Sequence, residues 1–162
     1  MNNIRSSLAI IAALAVAWGP KAIGDNTGVD YPSGYRTWQH VKSMVIQPGH
    51  PLENPFGGIH HVYGNAKAMS GLASGQYEDG AVFVFDLLEY DDSNNQIVET
   101  DRKRIDVMQY DSDQFSETGD WGYDTFVGDS TTEHLDQDVF VACHACHIGA
   151  QASNYVYSQY RP

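Results

Sequence analysis

The stretch Ala81-Val82-Phe83-Val84-Phe85-Asp86-Leu87-Leu88-Glu89-Tyr90 decides the fold class. Its β-branched and aromatic side chains favour an extended chain. An apolar run this short and this continuous predicts a strand covered on both faces. Asp91-Asp92-Ser93-Asn94-Asn95 follows it, a cluster of turn formers. The pair predicts a hairpin whose second strand lies within residues 96–110, with alternation clearest from Arg102 to Tyr110.

Outward from that hairpin the pattern stays mixed. Gly58 to Tyr63 reads as a strand, Asn65 can cap a short helix through Leu72, and Gly75 can end it. Trp121 to Val127 reads as another strand, and Asp111 to Phe115 as a helical turn. Leu135 to Cys146 predicts a helix, and Ser153 to Tyr160 a closing strand with Tyr155 and Tyr157 in alternation. Near the start, Tyr35, Trp38 and Val41 stand at helical spacing and predict a helix from Pro32 to about Met44. Gln47 to Pro55 holds three prolines and a glycine and reads as a loop. Short helices among adjacent antiparallel strands make an α+β domain, mostly sheet.

The chemistry sits near the other end, in Cys143-His144-Ala145-Cys146-His147. C-x-x-C-H is the attachment signature of a c-type haem. Two thiols bond to the porphyrin vinyl groups, and the adjacent His147 reaches the iron from the proximal side. These are the only two cysteines in 162 residues. Three other uses compete for them. A thioredoxin-type redox pair usually sits early in a chain, between a strand and a helix. A zinc site would need two further ligands from the seven histidines. A plain disulfide is the last option. Neither a second C-x-x-C nor an H-x(3–5)-H completes a zinc site, so one covalently attached haem c is the expectation.

The N-terminus agrees with that chemistry. Arg5 gives a positive start, and Leu8 to Trp18 is an apolar run too short to span a bilayer. Ala22-Ile23-Gly24 offers a cleavage site, with Ala15-Val16-Ala17 as a second. The reading is a signal peptide over residues 1–24 and one haem domain over residues 25–162, exported to the periplasm. An uncleaved anchor is the alternative. Cleavage removes Arg5 and Lys21, which deepens a net charge that is already −12. That balance argues against nucleic acid and anionic membranes as partners and fits a basic redox partner protein.

Several segments together carry a resemblance. They are Tyr35-Arg36-Thr37-Trp38, then Pro55-Phe56 with Ile59 and Val62-Tyr63, then Gly75-Gln76-Tyr77-Glu78-Asp79-Gly80. Tyr110-Asp111-Ser112, Phe115, Gly119-Asp120-Trp121, the C-x-x-C-H motif and Val156-Tyr157-Ser158-Gln159-Tyr160-Arg161-Pro162 complete it. In order and spacing the chain resembles the cytochrome P-460 / cytochrome c′-beta family of periplasmic haem proteins. The resemblance implies a mostly antiparallel sheet that binds one haem, as a homodimer. One branch of the family oxidises hydroxylamine with a lysine cross-linked to the porphyrin. The other binds NO and CO on a five-coordinate iron. The positions before Gly75 are Leu72, Ala73 and Ser74, none of which carries an amine. Lys67 is the nearest lysine, and a solvated surface role is its plainer reading.

The distal wall is read from apolar residues. Phe56, Phe83 and Phe85 are candidates to line it, against the plainer reading of core residues. An apolar wall favours NO and CO over dioxygen, which wants a hydrogen bond. His60 and His61 should point to opposite faces of their strand, so His60 is a candidate pocket residue or a structural histidine. Met44, Met69 and Met108 are candidate sixth ligands for an electron carrier, or packing residues. Arg102, Lys103 and Arg104 form a basic cluster that can pair with haem propionates or remain exposed. His144, inside the motif, is expected to face solvent.

Overall fold

The computed structural model describes residues 27–135 and 138–161. The signal segment expected over residues 1–24 lies outside the described residues. Five strands form one antiparallel sheet: β1 (Gln39–Ile46), β2 (Gly58–Gly64), β3 (Val82–Asp91), β4 (Val98–Tyr110) and β5 (Trp121–Val127). Each strand pairs with its predecessor in the chain. Three short helices accompany them: α1 (Glu53–Phe56), α2 (Ala66–Ser74) and α3 (Asp138–His147). The architecture is α+β and mostly sheet, as the sequence predicts.

β3 is covered on both faces, which explains its continuous apolar run. Phe83 joins Met108, Trp121, Tyr123 and Val156 on one side. Val84 joins Val29, Tyr35, Ile105, Val107 and Phe126 on the other. Trp121 is fully buried and meets Tyr77 and Tyr110 edge-on, each at 5.0 Å. Such pairs add about 0.5–1.5 kcal/mol each beyond the area they bury. Gly71 permits this packing: a Cβ there would stand 2.2 Å from the Tyr77 ring.

Asn65 does two jobs between β2 and β3. Its Oδ1 accepts from Ala68 N (2.9 Å) and from Val82 N (3.2 Å). Its Nδ2 donates to Gly80 O at 2.8 Å. The first bond caps α2, and the others tie the helix to the start of β3. Gly75, at φ 78°, closes the helix in the left-handed region. Asn65→Ala is expected to cost about 1–2 kcal/mol, read as a lower midpoint in urea with an unchanged slope.

Three elements differ from the sequence reading, the smallest being α1, which begins at Glu53 inside residues 47–55, the stretch read as a loop. The predicted helix from Pro32 to Met44 is a single 3-10 turn, Tyr35–Thr37, followed by the edge strand β1. Tyr35 lies in the turn, Trp38 ends it, and only Val41 is in β1, where the register shifts between His40 and Lys42; three residues of different settings thus fall three apart and imitate a helix. Tyr35 and Trp38 pack with the Val84 cluster, whereas Val41 packs with the Phe83 cluster. The predicted closing strand Ser153–Tyr160 is also absent. A 3-10 segment, Ile148–Ser153, leads into Asn154 and Tyr155 at φ 52° and 63°. The alternation there is real, with Val156 and Ser158 buried and Tyr157 exposed, but the segment has no ladder partner.

Candidate functional site

α3 carries the motif against the end of the sheet. Phe140 meets the Tyr123 ring edge-on at 5.8 Å, and Cys143 packs against the Phe83–Trp121 cluster. Residues three and four apart share a helix face, so Cys143, Cys146 and His147 are presented together. Both thiols are unbridged; Cys146 is exposed and Cys143 half-buried. Burial, then the nearby Asp106 carboxylate, pushes the Cys143 thiol up to about 12. A redox thiol needs the opposite shift. Among the described residues no group of three or more His, Cys, Asp or Glu is arranged to hold a metal ion.

His147 is oriented by the backbone. Its Nδ1 donates to Tyr155 O at 2.6 Å, which leaves Nε2 as the lone-pair nitrogen. The acceptor is itself held: Trp121 Nε1 donates to Asn154 O (3.0 Å) and Tyr155 N to Ala150 O (2.9 Å). The left-handed Asn154–Tyr155 pair turns that carbonyl toward α3 instead of into a ladder. Burial lowers the His147 pKa, against the opposing bond to Tyr155, so the imidazole is kept neutral. Tyr123 and Tyr157 flank the ring at 5.2 and 5.4 Å. The Tyr155 carbonyl has no signal in the sequence, because any residue supplies one. His144 differs from expectation. It is half-buried between Tyr123 and Tyr155, with a buried Nδ1 that has no hydrogen-bond partner.

The sheet face under α3 gathers most of the remaining candidates. Cross-strand register places Phe83 beside Met108 and Tyr123, and Phe85 beside Val62, Asp106 and Thr125. His60 shares this face, while His61 points to the other, as the alternation predicts. Phe83 is fully buried and serves the core; Phe85 is half-buried. Phe56 reaches the face from α1, with its ring 6.4 Å from that of His60. His60 Nε2 donates to Phe56 O at 2.7 Å, and burial keeps the ring on the neutral side.

A polar cluster lies here that sequence reasoning did not assemble. Arg104 stands 4.7 Å over the Phe56 ring and pairs with Asp106 at 3.0 Å. Asp106 also accepts from Thr125 Oγ1 at 2.8 Å, and burial raises its carboxyl pKa. The three basic neighbours therefore separate. Arg102 bonds Asp86 on the opposite face, and Lys103 donates to Gly57 O (2.9 Å). Lys67 is half-exposed, and its Nζ donates to Asp79 O at 2.7 Å. Met108 is buried in the core, and Met44 pairs with His60 in the β1–β2 register.

The residues present fit a haem. Two thiols and a neutral imidazole share one helix face, and apolar side chains of Val141, Ile148 and Tyr157 stand exposed on or near that segment. Sheet, helix and donor set together define a haem cytochrome. The family model for Cytochrome P460 matches residues 32–158, and the chain belongs to that family. No curated protein matches the chain.

Proposed function

We propose that this protein is an exported, periplasmic cytochrome with one haem c, bound through Cys143 and Cys146 and ligated by His147. The observation that carries this reading is the His147–Tyr155 bond of 2.6 Å directly beside two free thiols. When bound, the haem supplies an iron that takes small neutral ligands. The chain's own groups orient the proximal imidazole and shape the other side. Phe56 and Phe85 supply apolar surface there, and Met108 is committed to the core. This favours an open sixth position for NO or CO, in scavenging or sensing, by a homodimer.

A second reading, hydroxylamine oxidation, is favoured by the Arg104–Asp106–Thr125 cluster on the same face. A polar substrate finds donors and a carboxyl there. The engaged, half-exposed Lys67 counts against the cross-linked form of that chemistry.

An absorption spectrum of the reduced protein tests both. Gas binding predicts a five-coordinate high-spin spectrum that shifts strongly on adding NO or CO. A low-spin spectrum that ignores CO would overturn it in favour of electron transfer. A strongly red-displaced Soret band would favour the cross-linked enzyme.

A further inference from the structure

We infer a second metal site, solvent-open and built on two imidazoles rather than on a cluster of three protein ligands, for a divalent ion such as Cu²⁺, on the sheet face turned away from α3. It lies on the edge strand β1 and its neighbour β2, where Ser43 pairs with His61. Two ring nitrogens converge on the Ser43 hydroxyl: His40 Nε2 at 2.9 Å and His61 Nδ1 at 2.7 Å. The two rings are 6.3 Å apart, centroid to centroid. The far nitrogen of His61 is spoken for: Nε2 lies 2.8 Å from Glu99 Oε2. The other Glu99 oxygen lies 3.6 Å from Arg36 Nη1, which steadies the carboxylate.

We assign the protons from the hydrogen bonds, taking both rings as neutral. With Nε2–H of His61 donating to Glu99, its Nδ1 carries the lone pair and accepts the Ser43 O–H. Ser43 Oγ then accepts from His40 Nε2–H. A carboxylate behind a histidine whose second nitrogen faces a shared point is the arrangement that orients imidazole ligands in metal sites. A bound ion draws on the His61 lone pair as it stands and on His40 after a proton moves to its Nδ1. Ser43 or water completes the shell. Imidazole suits Zn²⁺, Cu²⁺ and Ni²⁺ rather than Ca²⁺ or Mg²⁺. His40 and Ser43 are exposed, so the site is open to solvent. A net charge of −12 draws cations toward it. The inference is independent of the haem reading.

The test uses the full-length haem-loaded protein and Cu²⁺ as the probe, followed by titration calorimetry and electron paramagnetic resonance. The expected result is a bound equivalent whose spectrum carries nitrogen hyperfine structure from two imidazoles. The double variant His40→Ala/His61→Ala should lose that equivalent and that signal, while its circular dichroism and haem spectrum stay unchanged. Glu99→Gln should weaken binding about tenfold, at the low end for loss of a group behind the ligand. Ser43→Ala should leave two-nitrogen binding in place, which separates ligation by the histidines from a role for the hydroxyl. Unchanged copper stoichiometry and spectrum in the double variant would overturn the assignment, as would copper bound through no imidazole in the parent protein.

Discussion

Replacing both Cys143 and Cys146 with alanine is expected to yield a protein that retains no porphyrin after unfolding in acid. The parent, expressed beside a working maturation system, should keep its absorbance through the same treatment, and its intact mass should include one haem. The expectation rests on placement. Both sulfurs belong to α3, one turn apart, and neither is committed to a disulfide. The two single variants should each keep one thioether and show a shifted reduced spectrum. The sheet should survive in all three, because β1 to β5 pair in chain order before α3 is reached. Haem retained in denaturant by the double variant would refute attachment through these thiols.

The second large effect is on stability, at a carboxylate inside the apolar run. Asp86 is fully buried and pairs with Arg102 Nε at 2.7 Å and Arg36 Nε at 2.8 Å. Arg102 also bonds Asp129 at the surface. Removing one partner of a buried ion pair costs about 3–5 kcal/mol, because the other charge is left uncompensated. Arg36 is 43% exposed and can turn to water, so Asp86→Ala is expected near the lower end, about 3 kcal/mol. Urea unfolding would measure it, and a loss under about 1 kcal/mol would show that the arginines re-pair elsewhere. The pH dependence has a definite sign. Burial alone would raise the Asp86 carboxyl, but the bonds from Arg102 and Arg36 overcome it and hold it below the usual carboxylate range. Its contribution is therefore complete above about pH 4, the ordinary aspartate value, and is lost as pH falls through the lower folded value. In Asp86→Asn that part of the acid-limb slope should disappear.

The sequence made some of this architecture legible and hid the rest for identifiable reasons. β3 announced itself because burial on both faces leaves an unbroken apolar run. α2 was legible from its ends, since Asn65 and Gly75 carry capping chemistry that few other residues supply. The helical spacing of Tyr35, Trp38 and Val41 is a coincidence of a 3-10 turn, the residue that ends it and a strand that starts with an irregular register. The closing segment was misread because its alternation reports burial, and burial alone does not make a ladder. At the site, the motif residues were legible from spacing. Asp106 was not, because its meaning depends on Arg104 beside it in β4 and Thr125 across the sheet. Asp86 was equally silent: one acid in an apolar run shows its worth only when Arg36, fifty positions earlier, is seen to meet it.

The partner of His147 is an amide oxygen, and an amide oxygen has no proton to gain or lose in the ordinary working range. A carboxylate in that place would lend the imidazole anionic character and would withdraw it on acidification. Tyr155 does neither, so with His147 as the proposed axial base this partner adds no pH dependence of its own to the imidazole's donor strength. With the haem bound as proposed, any drift of the iron's midpoint potential with acidity would have to come from groups other than this acceptor.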